Sequence, residues 1–185
     1  TWRAATDNDG IRGWDGQGYK PLGWWHDAGL EQVQLVKKAL SWHRHEKNVT
    51  VKIEKIYSAG DKRITHIQDI IFTPSAEVVF ENHCNYDQTL PSLARVGVKF
   101  ALNEGFEKLA WYGRGPHENY RDRDAGASIG LYTSTVDEEY VPYILPQANG
   151  NKTAVRWFSL DNGQSTAKFT SAKNFEFSVS HYTEE

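Results

Sequence analysis

Apolar and polar residues alternate in several segments of this chain, and that alternation constrains the fold more than any other feature. The apolar members of three such segments are Val49, Val51 and Ile53, then Val96, Val98, Phe100 and Leu102, and finally Phe175, Phe177 and Val179. A period of two places successive side chains on opposite faces of a β-strand. Each segment is therefore predicted to be a half-buried antiparallel strand.

Turn-forming residues separate the predicted strands at the spacing of β-hairpins. They cluster in residues 58–62, 87–92, 103–105 and 161–164. Residues 30–40 fit a helix and a strand about equally, and we favour a strand that leads to a turn near Glu46. No internal repeat or linker divides the 185 residues. We therefore expect one all-β domain over residues 1–185.

Residues 6–29 interrupt the strand pattern. The stretch GIRGWDGQGYKPLGWWHDAG holds six glycines and a proline, a composition that excludes a long helix or a central strand. We predict a long irregular loop with one helical turn around residues 24–28. A loop of this length with its own aromatic residues is usually functional or packed against a neighbour. The aromatic residues are Trp14, Tyr19, Trp24 and Trp25.

Charge and composition exclude several classes of partner. The net charge is −3, and the 21 basic and 24 acidic residues are scattered, so no basic surface for nucleic acid is expected. No apolar run reaches the roughly 18 residues of a membrane span, so no membrane partner is expected. The single cysteine, Cys84, excludes an intramolecular disulfide and a cysteine-based zinc site.

The densest polar chemistry lies in GRGPHENYRDRD, which we call the polar turn (residues 113–124). Gly113 and Gly115 permit a tight turn, and Pro116 fixes the next backbone angle. The three arginines of this stretch lie within a few residues of three carboxylates, so the charges can satisfy one another. We expect a structural turn rather than a direct sugar contact. The candidate residues are Arg114, His117, Glu118, Asn119, Tyr120, Asp122 and Arg123.

Catalytic chemistry is weakly represented. A retaining glycosidase needs two carboxylates about 5–5.5 Å apart. Asp7 and Asp9 are two residues apart, but such a cluster more often holds a turn. His43 and His45 share one face of a predicted strand without a third metal ligand. No serine nucleophile motif or dinucleotide fingerprint occurs. We predict no catalytic residue and no metal site.

Four blocks of sequence carry a resemblance to a known family. They are WRAATDNDG, LPSLARVGVKF, LAWYGRGPHENYRDRDAGASIGLY and VPYILPQANGNKTAVRWFSL. These blocks cover the chain nearly end to end, and they resemble the carboxyl-terminal, small-chain region of glycoside hydrolase family 2 β-galactosidases. The resemblance implies an antiparallel β-supersandwich, like that of galactose mutarotase-like proteins. Since the chain starts at Thr1 and lacks methionine, we also expect it to be a fragment of a larger polypeptide.

The resemblance also implies a role. The catalytic glutamates of the family lie in a TIM-barrel domain of the same polypeptide, which would be this chain's partner. The implied substrate, a β-galactoside, would bind through that parent enzyme, a homo-oligomer that uses Mg²⁺ and Na⁺; no cofactor is expected in this fragment. The family's loop after TDND reaches the active-site mouth, which implies a substrate-proximal loop at Asp7, Asn8, Asp9 and Gly10.

Two alternatives stay open. The chain could act alone as a carbohydrate-binding module or as a mutarotase-like protein. A mutarotase needs an acid and a base that flank one sugar, and His117 and Glu118 could converge only if they lie in a loop.

Departures from the family pattern occur at Ala5, Ala94 and Ala148, where the family has proline, proline and glutamate. The missing glutamate is expected to deprive an arginine, such as Arg114 or Arg156, of a partner.

Overall fold

The computed structural model describes residues 3–11 and 19–182. Within them the chain is nearly all β, with eight strands in two four-stranded antiparallel sheets and one α-helix. The predicted all-β antiparallel class is confirmed, and two such sheets are the parts that a β-sandwich requires. The chain divides into two compact units, Asp9–Val96 and Arg3–Asn8 with Gly97–Glu185. The expectation of one domain stays a prediction.

The first unit holds one sheet, whose strands follow one another in space as they do in sequence. They are β1 (Gln34–His45), β2 (Asn48–Ala59), β3 (Lys62–Phe72) and β4 (Val78–Tyr86). A two-residue turn at Glu46 joins β1 to β2, and another at Gly60 joins β2 to β3. Both residues have positive φ angles, 53° and 60°, as tight hairpin turns require. The predicted strand is confirmed from Gln34 onwards, whereas Leu30–Gln32 form a 3₁₀ turn. The predicted turn near Glu46 is confirmed.

The single α-helix of the described residues, α1 (Pro21–Asp27), precedes this sheet. It starts at a proline, which is favourable in a first turn because its missing N–H would have no partner there. Trp25 is buried, and its indole N–H donates to the Ser92 carbonyl at 2.8 Å. The predicted helical turn is confirmed, although it starts three residues earlier. Residues 12–18, with Trp14, lie outside the described residues. None of the described helices is long and apolar enough to cross a membrane.

The second unit holds the other sheet, in the order β6-β5-β7-β8. Its strands are β5 (Lys108–Gly115), β6 (Ser128–Thr135), β7 (Lys152–Asp161) and β8 (Thr166–Phe177). The residues of its core are Leu109, Trp111, Val136, Val155, Phe158, Leu160 and Phe177. Phe158 stacks on Phe169 and Phe177 with ring centroids 4.4 and 4.2 Å apart. Phe175 and Phe177 lie in β8 as predicted, whereas Val179 lies beyond its end.

The prediction of a strand at residues 96–102 is wrong. This segment forms no strand, and the exposed fractions of its four apolar side chains lie between 37% and 63%. Alternation describes only the side chains, whereas a strand also needs a neighbour to bond its backbone N–H and C=O groups. No strand of the described residues pairs with this segment. The four predicted turn clusters do coincide with turns or bends.

Candidate functional site

The polar turn begins at the end of β5, where the Gly115–Pro116 peptide bond is cis. A Cβ atom at Gly113 would lie 2.8 Å from Val155 Cγ2, and one at Gly115 would lie 2.7 Å from Tyr132 Cδ2. These glycines therefore allow close packing of neighbouring side chains against the strand. Their role is thus close packing within the sheet, rather than the predicted freedom of a tight turn.

Glu118 is the centre of the polar turn. Its Oε1 accepts hydrogen bonds from Arg123 Nη2 at 2.7 Å and from the Tyr143 hydroxyl. Its Oε2 accepts a bond from the backbone N–H of Gly150 at 2.8 Å. Burial and this hydrogen bond to Glu118 raise the pKa of Tyr143. The carboxylate is thus held by three donors and connects the turn to residues 143–150.

Asn119 fixes the same turn to the start of β7. It is 1% exposed, and its Oδ1 accepts bonds from the Thr153 N–H at 2.9 Å and the Thr153 hydroxyl at 2.6 Å. Its Nδ2 donates to the His117 carbonyl at 2.9 Å. The backbone N–H of Asn119 donates to the Asn151 carbonyl at 2.7 Å. In return, Asn151 Nδ2 donates to the backbone carbonyl of Asn119 at 2.9 Å. Both groups of the amide are therefore satisfied internally.

Tyr120 adds a third connection. Its hydroxyl donates to the Ala148 carbonyl at 3.0 Å, and the Arg123 guanidinium lies 4.6 Å from its ring centroid. Burial raises the pKa of Tyr120 well above its ordinary value, and the negative charge of Glu118 raises it further. The turn is thus tied to residues 147–151, which we call the amide loop.

The remaining charges of the turn pair in two ways. Arg114 Nε lies 3.2 Å from Asp124 Oδ2, a local pair like that of Arg123 with Glu118. Arg121 instead reaches Glu176 on β8, with Nε 2.6 Å from Oε1. Asp122 Oδ2 accepts a bond from Asn8 Nδ2 at 2.6 Å. The predicted local pairing therefore holds for Arg114 and Arg123. It does not hold for Arg121, whose partner is distant in sequence, and the partner of Asp122 is distant as well.

The contact with Asn8 joins the two groups of candidate residues. Asp7–Asp9 form a 3₁₀ turn, and the Asp7 N–H donates to Gln147 Oε1 at 3.0 Å. The Ala148 N–H donates to the Ala5 carbonyl at 3.3 Å. Residues 5–8 are therefore held by both the polar turn and the amide loop. The last two residues of the predicted loop are Asp9, which is buried, and Gly10, whose φ of 105° favours glycine.

A cleft of about 420 Å³ lies beside the polar turn. Its lining includes Trp111, His117, Ser134 and three glutamates, Glu118, Glu138 and Glu139. Glu138 Oε2 accepts bonds from the Ser134 hydroxyl at 3.2 Å and the Thr135 N–H at 3.0 Å. Each glutamate of the cleft, Glu118 and Glu139 included, accepts a hydrogen bond from within the chain.

Glu139 pairs with a buried lysine that is not predicted from the sequence. Lys152 Nζ donates to Glu139 Oε2, and both residues are buried. The ammonium also lies 5.2 Å from the centroid of the Trp111 ring. A buried lysine and glutamate must be paired, since an isolated charge is costly to remove from water. The acidic run at residues 137–139 resembles a solvated turn, so no local pattern indicates this pair.

Arg114 and Arg156, the arginines expected to lose a partner through Ala148, both have partners in the structure. Arg114 bonds Asp124 and also donates to the Ala127 carbonyl at 2.9 Å. Arg156 donates to the Ala154 carbonyl at 2.5 Å and lies 5.3 Å from the Tyr112 ring centroid. Among the described residues, no three His, Cys, Asp or Glu side chains are grouped so that they could hold a metal ion.

The sequence of this antiparallel all-β chain matches the model of a known protein family. The family model described as beta galactosidase small chain covers residues 1–185. The chain therefore belongs to the β-galactosidase small-chain family, as the four sequence blocks predicted.

Individual relatives agree with this assignment. The chain is 34% identical to a β-galactosidase of Priestia megaterium, over 88% of its own length and 15% of the relative's. It is 33% identical to that of Vibrio cholerae, over 99% and 18% of the two lengths. For that of Yersinia enterocolitica the identity is 31%, over 98% and 17%. The chain thus spans less than a fifth of the length of these curated relatives.

Proposed function

We propose that this chain is a non-catalytic part of a β-galactosidase, an enzyme that hydrolyses terminal β-D-galactosides. In this proposal the catalytic carboxylates belong to a barrel domain of the same polypeptide. The chain borders the active site and stabilises the assembly. Family membership and the names of the relatives support the parent activity. A homo-oligomeric parent that uses Mg²⁺ and Na⁺ stays a prediction from the resemblance.

One observation supports the non-catalytic role most directly. The three glutamates of the cleft are engaged by donors of the chain itself, and Glu118 alone accepts three hydrogen bonds. A general acid or a nucleophile must instead direct a carboxyl oxygen at the substrate. The same contacts argue against a mutarotase-like pair of His117 and Glu118, because the carboxylate is already bound.

The role that we infer for the site is to hold residues 5–8. The hydrogen bond from Asn8 to Asp122 attaches this segment to the polar turn, and the bond from Asp7 to Gln147 attaches it to the amide loop. The glycine-rich loop that follows would border the active-site mouth. A fixed starting point would limit the positions open to this loop, and small misplacements near reacting atoms are costly to catalysis.

An exchange of the two side chains tests this role in the full-length polypeptide. Asn8→Asp places a carboxylate against Asp122 and should repel it, whereas Asp122→Asn keeps an oxygen that can accept the bond from Asn8. In the double variant Asn8→Asp/Asp122→Asn, the amide at position 122 donates to the carboxylate at position 8 and restores the contact. We expect the catalytic efficiency on a chromogenic β-galactoside to fall in the first variant and to recover in the double variant.

Two further measurements make the test specific. Asp61→Asn changes an exposed carboxylate in the β2–β3 turn and should leave the efficiency unchanged. Hydrogen exchange of peptides covering residues 3–11 should accelerate in Asn8→Asp and return towards the parental rate in the double variant. An efficiency that stays parental while exchange accelerates would refute the positional role. A full-length protein without any galactosidase activity would refute the proposed parent enzyme.

A further inference from the structure

One face of the β1–β4 sheet carries a row of apolar residues that crosses all four strands. The strand register aligns Trp42 with Val51, Val51 with Ile70, and Ile70 with Phe80. Directly opposite residues of antiparallel strands project from the same face. Together with the apolar residues of the two flanking rows on the same face, they form what we call the apolar patch. Its members are Leu40, Trp42, Val49, Val51, Ile53, Ile70, Phe72, Val78 and Phe80.

Five of the nine members of the apolar patch are exposed, and the other four are half-buried. The exposed fraction is 67% for Trp42, 60% for Leu40 and 45% for Phe72, and it is 42% for both Val78 and Phe80. Folded proteins rarely leave a contiguous apolar area of this kind in water unless it is an interaction surface. Half-buried sheets normally turn their apolar face inward.

The opposite face of the same sheet provides an internal comparison. On that face, the residues adjacent in sequence to the apolar row form an aligned row of their own. Its members are all polar: Ser41, Lys52, Asp69 and Glu81. At this level of the sheet, the row that crosses the four strands is therefore apolar on one face and polar on the other. The row Trp42, Val51, Ile70 and Phe80 contains no charged group. In the two flanking rows of the same face, Arg44 aligns with Val49 on the edge strand β1, and Gln68 and Asn82 align with Ile53.

We propose that the apolar patch packs against an apolar surface of the same polypeptide, from outside residues 1–185. This inference rests on the proposal that the chain is part of a larger β-galactosidase. The curated relatives are more than five times as long as the region they share with this chain, so most of such a polypeptide lies outside it. The partner surface consists of aliphatic and aromatic side chains. A sugar is a poor occupant, because binding a sugar ring also requires polar groups to meet its hydroxyls.

Site-specific photo-crosslinking in the full-length polypeptide tests the inference. A photoreactive phenylalanine analogue is placed at position 42, in the patch, and in a matched control at position 43, whose side chain projects from the opposite face. We expect position 42 to form crosslinks to peptides outside residues 1–185. Mixing isotopically labelled with unlabelled protein separates links within one molecule from links between copies.

Oxidative labelling of the unmodified protein provides a measurement that does not depend on a variant. Labelling of Trp42 should fall to the level of the buried Trp111, rather than to that of Trp24, which is 46% exposed. Trp42→Glu should lower the melting midpoint of the full-length protein by several degrees, whereas His43→Glu should not.

Three outcomes would overturn the inference. They are crosslinks from position 42 to a second copy, crosslinks confined to residues 1–185, and labelling of Trp42 as rapid as that of Trp24. None of these readouts depends on activity. A protein that shows the expected crosslinks but does not cleave β-galactosides would refute the proposed function and leave the interface standing.

Discussion

The side-chain oxygen of Asn119 accepts two hydrogen bonds from Thr153, one from the backbone N–H and one from the hydroxyl, at 2.9 and 2.6 Å. Thirty-four residues separate the two, and both are buried. This contact joins the polar turn to the first residues of β7, beside the amide loop. It makes Asn119 a structural residue of the site, and its removal should be costly.

Asn119→Ala should reduce the free energy of unfolding by about 1–3 kcal/mol for each buried group that it leaves without a partner. Those groups include the N–H of Thr153 and the carbonyl of His117. Urea unfolding followed by tryptophan fluorescence measures the loss. Asn103→Ala, in an exposed turn, is the control and should have little effect. A loss as small as in the control would show that water replaces the amide.

Trp111→Ala should cost about 3–5 kcal/mol, because it removes a buried aromatic ring from the core of the second unit. The ring is 1% exposed and lies 5.3 Å from that of Tyr132, centroid to centroid. Tyr112→Ala is a matched control on the opposite face of β5, where the side chain is 40% exposed. Calorimetry should show a large fall in the melting midpoint for the first variant only. Equal melting midpoints for the two variants would mean that neighbouring side chains repack to fill the space left by the Trp111 ring.

Alkaline pH should destabilise the polar turn through Tyr120. Burial raises the pKa of this phenol in the folded state above its ordinary value of 10.0. As pH rises past that value, the unfolded chain loses the proton while the folded chain keeps it, so the free energy of unfolding falls. The stabilisation is fully present below about pH 10 and is lost above it. Tyr120→Phe should flatten this dependence in urea titrations from pH 8 to 11.

Tyr143 also has a raised pKa, so some alkaline slope should persist in Tyr120→Phe. An unchanged slope in that variant would assign the effect to other groups.

The buried pair of Lys152 and Glu139 should behave asymmetrically. Glu139→Gln leaves the buried ammonium without its counter-charge and should cost about 3–5 kcal/mol. The double variant Glu139→Gln/Lys152→Met removes both charges and should recover most of that loss, because the methionine can retain the contact with Trp111. Urea unfolding of the two variants and the parent measures the coupling. A double variant no more stable than Glu139→Gln would show that packing, rather than charge, dominates.

The purified 185-residue chain should not hydrolyse a chromogenic β-galactoside. The glutamates of its cleft are engaged internally, and no retaining carboxylate pair is visible in the sequence. Turnover that disappears on substitution of Asp7, Asp9 or Glu118 would place the catalytic chemistry in this chain. Turnover that survives all three substitutions would instead indicate a contaminating enzyme.

Much of the fold could be predicted because the signals are local. Alternation at Val49, Val51 and Ile53 identified β2, and the turn at Glu46 marked its beginning. Both depend on neighbours within a few residues, since an antiparallel hairpin brings together segments that are adjacent in the chain. The same pattern failed at residues 96–102, because alternation says nothing about whether a pairing strand is present.

The sequence by itself determined the all-β class, the strand β2 with the turn before it, and the closeness of opposite charges within the polar turn. Only the tertiary structure decided that Arg121 binds Glu176, that Asp122 binds Asn8, and that a buried lysine neutralises Glu139. The physical reason is separation along the chain: Arg121 and Glu176 are 55 positions apart, and Asn8 and Asp122 are 114 positions apart. Local periodicity does not encode such contacts, because they arise only when strand packing brings distant side chains within hydrogen-bonding distance.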